Sequence, residues 1–144
     1  MMHIESPRTG DAGVEQLLQT RGVTAPRIAP ADIEAAIAGE HYFTAAEGAM
    51  CSTRGGMHDY AQFPAALHLM TFCVLIMRNG FRVVGVNEGP VSAETFDAEL
   101  GRKMARQKAL DQIWPLLGYQ LRSAVHEAST QTCAATATRA GTAA

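Results

Sequence analysis

Four cationic side chains, Arg102, Lys103, Arg106 and Lys108, fall within seven residues, and Arg102 and Arg106 stand one helical turn apart. That spacing puts two guanidinium groups on one helix face and makes a local anion site possible. Gly101, just before them, costs a helix up to about 1 kcal/mol relative to alanine, so close approach of a backbone or a ligand is one reason to keep it. The bland account of the same residues is a solvated face, because Glu99 lies three residues before Arg102 and four before Lys103, within reach for ordinary helix ion pairs. Phe81, with Tyr60 and Phe63, could stack on a base or ring, although aromatic residues beside a turn usually pack. With Arg78 and Asn87 on the same hairpin, the candidate ligand-binding set is Arg102, Arg106, Lys103, Phe81, Arg78 and Asn87.

Catalysis and metal binding have weaker support. His58 and Asp59 share a Gly-rich loop and could form an acid–base pair, but none of the five histidines stands in a recognised arrangement with a nucleophile or carboxylate. The sequence has no Walker loop, GxGxxG, HExxH or GxSxG. Cys51, His58 and Asp59 lack a fourth ligand at recognisable spacing, and there is no CxxC or HxxxH. No catalytic residue, metal ligand or cofactor is assigned, and a binding protein is preferred to an enzyme.

The elements that must carry these residues centre on Asn79-Gly80, set between the apolar runs 66–77 and 82–86. Asn-Gly between β-rich segments is a strong hairpin signal, since a type I′ turn needs positive φ at both central residues. A two-residue turn pairs Arg78 with Phe81, Ile76 with Val83 and Val74 with Gly85. Phe72, Val74 and Ile76 then share a face with Phe81, Val83 and Asn87, and Cys73, Leu75 and Met77 share the other with Arg82, Val84 and Val86. Both faces of the first strand are apolar. A helix should cover one, and further chain or a second subunit the other, so a homo-oligomer is expected.

Residues 41–45 are predicted as a short strand and residues 48–64 as an irregular loop. Pro30, Asp32, Ile33, Ala36 and Ile37 mark a helix stopped by Gly39, and Val14, Leu17 and Leu18 mark a weaker one. A long helix starts near Ser92, buries Phe96, Leu100, Met104, Leu110, Ile113 and Trp114, and is closed by Pro115. The expected fold is α+β: an antiparallel sheet built on a central β-hairpin, packed by a long C-terminal helix and one or two short N-terminal helices. Residues 1–13 are expected to be a flexible N-terminus, 14–122 one domain, and 123–144 a disordered Ala/Thr-rich tail.

Bulk properties fit this outline. The chain has 144 residues, 47% of them hydrophobic and 18% charged, enough for one core without disulfide or metal staples. Twelve basic against fourteen acidic residues leave a formal charge of −2, which disfavours bulk nucleic-acid binding. The acids concentrate at the front, seven against three bases in residues 1–50, while residues 91–123 hold five bases and four acids. No apolar run follows a basic start, so a cytoplasmic protein with no membrane segment is expected, and three scattered cysteines fit reduced thiols.

Thr24-Ala-Pro-Arg-Ile, Asp32-Ile-Glu-Ala, His41-Tyr-Phe-Thr-Ala, Thr71-Phe-Cys-Val-Leu, Arg78-Asn-Gly-Phe, Thr95-Phe-Asp-Ala-Glu-Leu-Gly-Arg-Lys and Ile113-Trp-Pro-Leu-Leu-Gly-Tyr occur in order over residues 14–122. Together they resemble a small phage and prophage protein family, whose founders are gene product forty-nine of phage N-four and a relative in phage Sf-six. The resemblance implies an accessory protein of a bacteriophage or prophage, working in the cytoplasm of a bacterial host, and carries no activity with it. The expected function is non-catalytic binding of a host protein or a small anionic, nucleotide-like ligand, in one version to counter host defence. Two alternatives stand beside it: a nucleic-acid-associated regulator using the basic helix face, and a small enzyme using His58 and Asp59.

Overall fold

Hairpin geometry decides which side chains face the core. In the computed structural model, which describes residues 9–52 and 60–140, Gly80 has φ +82°, while among the described residues none other than glycine has positive φ. Asn79 is therefore excluded from a type I′ turn. The loop has three residues instead, closed by Met77 N–H to Phe81 O at 2.8 Å and Gly80 N–H to Met77 O at 2.9 Å, with the Asn79 side chain accepting from Phe81 N–H at 3.0 Å. A three-residue loop with a left-handed glycine is the next-commonest hairpin solution. It moves the register by one from the expected pairing: Leu75 faces Val83, Cys73 faces Gly85 and Thr71 faces Asn87. A one-residue slip turns a whole strand over, so Val83, Gly85 and Asn87 join the Cys73 face, and Arg82, Val84 and Val86 join Phe72 and Val74.

The three strands are β1 (Ile37–Thr44), β2 (Thr71–Met77) and β3 (Arg82–Asn87), antiparallel in the order β1-β2-β3. β1 begins earlier than expected. Gly39, predicted to stop a helix, lies at an irregularity in the β1–β2 register between Ile37 and Gly39. Helix α2 (Pro30–Ala36) ends just before it, where Arg78 N–H donates to Ala36 O at 2.9 Å and Arg78 Nε donates to Ala35 O. After β1 the chain is helical in α3 (Ala45–Ser52), which takes up the first residues of the predicted loop, and again in α4 (Ala65–Leu69), just beyond that loop. Residues 66–70, read as the start of the hairpin strand, are Ala, Leu, His, Leu and Met, mostly good helix formers. Extended structure starts only where β-branched and aromatic residues take over at Thr71.

Along β2, Thr71, Cys73, Leu75 and Met77 are all buried and the residues between them are half-buried. The buried face receives α5 (Ala98–Ala140) through Gly101, Ala105, Ala109 and Ile113, a four-residue repeat of buried positions. This replaces the expected bulky stripe, of which only Ile113 is fully buried; Leu100 is 53% and Met104 40% exposed. The cause is Gly85: a Cβ there would lie 1.9 Å from Ala105 O and 2.5 Å from Ala109 N. Helix and strand meet backbone to backbone, and only small residues fit between them.

α5 also passes through Pro115, the expected stop, and runs to Ala140. Proline forfeits one backbone bond and costs about 3 kcal/mol in a helix interior, but Leu116 and Leu117 follow it directly and alanine, the best helix former, recurs from residue 124 on. The hydroxyls of Ser129, Thr130 and Thr132 bond carbonyls three or four residues back, satisfying themselves without leaving the helix. Residues 123–140, predicted to be disordered, are therefore helical. Helix α1 (Thr9–Thr20) likewise starts inside the stretch expected to fray, and Val14 and Leu17 of its apolar stripe are about half exposed. Glu15 on α1 holds Arg27 through two hydrogen bonds of 3.1 and 2.7 Å. By its contacts the chain forms two compact units, Glu34–Ile113 and the described residues of Met1–Ile33 with Trp114–Ala144.

Candidate functional site

Arg102 and Arg106, one turn apart on α5, have different environments. Arg106 is paired with two carboxylates. Its Nε and Nη2 donate to Glu40 Oε1 at 3.0 and 2.7 Å, and its Nη1 and Nη2 donate to the Glu34 carboxylate at 3.1 and 2.8 Å. These bonds hold the Arg106 proton more firmly, and Arg106 in turn holds the Glu40 carboxyl below its ordinary range. Tyr42 donates its hydroxyl to Glu40 at 2.8 Å; burial, then this bond, raises its pKa. Burial also raises the Cys73 thiol beside it. This polar chain fastens β1 to α5 and commits four of the five Arg106 N–H donors to protein carboxylates.

Arg102 forms no ion pair or hydrogen bond among the described residues. It lies on the wall of a cavity of about 400 Å³ at the end of the sheet, with Tyr42, Glu47, His68, Thr71 and Phe96 among the other lining residues. Local sequence explains how they arrive there. Thr44 and Glu47 form a capping box that starts α3: the Thr44 hydroxyl accepts from Glu47 N–H at 3.2 Å, and the Glu47 carboxylate accepts from Thr44 N–H at 2.7 Å. Asp97 starts α5 by accepting from Glu99 and Leu100 N–H at 2.8 and 3.1 Å, which sets the helical phase of Arg102. Gly101 permits close packing here, since a Cβ would lie 3.0 Å from Thr71 Oγ1 and 3.5 Å from Asn87 Nδ2. His68, on α4, is within 3.3 Å of Phe63 O through Nε2.

The six candidate residues do not converge. Asn87 is buried opposite Thr71, at the cavity end of β3. Arg78 and Phe81 belong to the hairpin end, about 20 Å away at roughly 3.3 Å per residue; Arg78 is committed to the end of α2, and Phe81 is 53% exposed. Lys103 pairs with Glu99 at 3.0 Å on an exposed surface, and Lys108 lies 3.8 Å from Glu88. Sequence reading missed Tyr42, Glu47, Thr71 and Phe96 as cavity residues. The pattern Thr44-x-x-Glu47 was a readable helix-start signal, but nothing local tells that this helix start borders a cavity. His58 and Asp59 lie outside the described residues, as does the side chain of Tyr60. Among the described residues no group of three or more His, Cys, Asp and Glu could hold a metal ion, and no helix is long and apolar enough to cross a membrane.

A three-stranded antiparallel sheet with one helix laid across its buried face and a cavity at the sheet end defines a small α+β protein. The chain belongs to the phage protein family described as N4 Gp49/phage Sf6 gene 66, whose family model matches residues 28–125. That span includes all three strands, the cavity and Arg102. No curated protein and no solved structure matches the chain.

Proposed function

We propose that this phage-family protein acts by binding a small anionic ligand with a ring or apolar body, nucleotide-like in character, in the cavity at the sheet end. The observation that carries the reading is Arg102, a cation on the cavity wall with no ion pair or hydrogen bond among the described residues, while Lys103, Arg106 and Lys108 on α5 each have a carboxylate within 4 Å. A guanidinium can meet a phosphate or carboxylate with two parallel hydrogen bonds. Phe96 and Tyr42 supply ring surface, and Thr71 and His68 supply polar groups for orientation. The engaged states of Lys103, Arg106 and Lys108 weigh against the nucleic-acid reading, which needs those same cations free.

The test is thermal stabilisation by a panel of nucleoside mono-, di- and triphosphates and cyclic nucleotides. At least one should raise the melting temperature of the wild type. Arg102→Ala should weaken that ligand about tenfold to a hundredfold, the loss of one charge-assisted contact of about 1.5–3 kcal/mol, without changing the melting temperature of the free protein. Arg102→Lys should restore part of the affinity. No shift with any member of the panel would overturn the nucleotide assignment.

A further inference from the structure

The cavity at the sheet end is lined by an acid as well as a cation. Glu47 and Arg102 are both exposed, so they stand at its mouth, and no ion pair joins them. The carboxylate is the more informative of the two, because an acid beside a bound anion repels it unless the acid meets another part of the ligand. Glu47 Oε2 accepts from Thr44 N–H at 2.7 Å in the capping box, while Oε1 has no partner among the described residues. A second observation marks the interior. Thr71 lines the cavity and is only 3% exposed, yet its hydroxyl makes no hydrogen bond among the described residues. Buried hydroxyls are ordinarily paired, and this one is left for an occupant of the cavity.

We infer that the ligand carries a guanine base read by Glu47, whose carboxylate accepts from the N1–H and the N2 amino group while Arg102 takes the phosphate. This rests on the nucleotide reading of the cavity and adds which base the site selects and which residue selects it.

The choice follows from the donors and acceptors on the bases. An ionised carboxylate accepts and never donates, so it needs a ligand edge made of donors. Guanine carries two side by side, N1–H and the N2 amino group. Adenine sets the N1 lone pair beside its amino group, cytosine sets the N3 lone pair beside its own, and in uracil carbonyls flank the N3–H. Each of these turns an acceptor toward the carboxylate, and a site that hydrogen-bonds one group rejects the analogue lacking it. The two ends of a guanine nucleotide then match the two charges of the site, a donor edge at Glu47 and an anion at the guanidinium. Phe96 and Tyr42 line the same cavity and offer ring surface to a purine. Its volume of about 400 Å³ lies within the range of small-molecule sites.

The experiment is calorimetric titration of the full chain with guanosine, inosine and adenosine 5′-monophosphates, for the wild type, Glu47→Gln and Arg102→Ala. The wild type should bind the guanine nucleotide at least about tenfold more tightly than the adenine one. The inosine compound, which keeps N1–H and lacks the amino group, should fall between them. Glutamine serves a capping box as glutamate does, so Glu47→Gln should keep the melting temperature of the free protein. With its carbonyl held by Thr44 N–H, its amide turns a donor toward the base. Guanine binding should drop at least about tenfold and adenine binding should not, a change of preference that a merely structural role for Glu47 does not produce. Arg102→Ala should weaken all three nucleotides alike. Should Glu47→Gln lower the melting temperature, the wild-type order among the three nucleotides alone decides. A wild type that binds the adenine nucleotide as tightly as the guanine one, or a folded Glu47→Gln that keeps the preference for guanine, overturns this proposal and leaves the anion reading of Arg102 standing. No binding of any of the three overturns both.

Discussion

Arg102 and Arg106 have the same chemistry and nearly the same place in the sequence, and their partners separate them. Two carboxylates from different elements, Glu34 and Glu40, reach Arg106; Arg102 faces the cavity. Arg106→Ala should therefore act on stability. It removes four hydrogen bonds to two exposed carboxylates, and because solvent screens such pairs a loss of only about 1 kcal/mol at neutral pH is expected from urea unfolding. The effect depends on pH with a defined sign. Glu40 is held below its ordinary pKa in the folded protein, by Arg106 first and Tyr42 next. Its contribution is complete above the unfolded carboxylate value and disappears as pH falls through the lowered folded one. The stability difference between wild type and Arg106→Ala should accordingly shrink on acidification from about pH 7 to about pH 3. A difference that stayed constant would show that lost packing, not the ion pairs, sets the cost. At this scale sequence reading found the right helix and turn, but the carboxylates that disarm Arg106 lie sixty-six and seventy-two positions away.

Among the elements, the packing of α5 on the sheet was the least legible. Helical periodicity over 96–114 offers two stripes, one bulky and one small, and the bulky one is the ordinary choice for a helix on a sheet. Gly85 reverses it. Because a Cβ at position 85 would fall within 1.9 Å of Ala105 O, Gly85→Ala must push the helix off the strand and lose close packing along Cys73, Leu75 and Ile113. A destabilisation of about 3 kcal/mol or more is expected, seen as a lowered thermal midpoint; a variant as stable as the wild type would mean that the helix does not approach so closely. The hairpin shows the same dependence on tertiary detail. Asn79-Gly80 identified it correctly, but only the backbone conformation of Asn79 separates a two-residue turn from a three-residue loop, and that one step places Val84 on the Phe72 face and Val83 in the core.

For the whole molecule, the long C-terminal helix changes what the Ala/Thr-rich end is. Described positions 124–133 are exposed throughout, so their helicity rests on local propensity and hydroxyl–carbonyl bonds, not on burial. Removing residues 126–144 should lower the far-UV helical signal yet change the stability of the rest by no more than about 0.5 kcal/mol; a large drop in melting temperature would show that this segment is held by packing. The sequence by itself determined the α+β class, the hairpin, the main helix and the family resemblance. Each rests on local propensity or on side chains that keep their character wherever the chain puts them. Only the tertiary structure decided the strand register, the helix face that is buried, which arginine is free and which sheet face takes the helix. Those outcomes depend on distant groups competing for the same partner, Glu40 for Arg106 and Gly85 for Ala105, and such competition has no period or spacing along one chain.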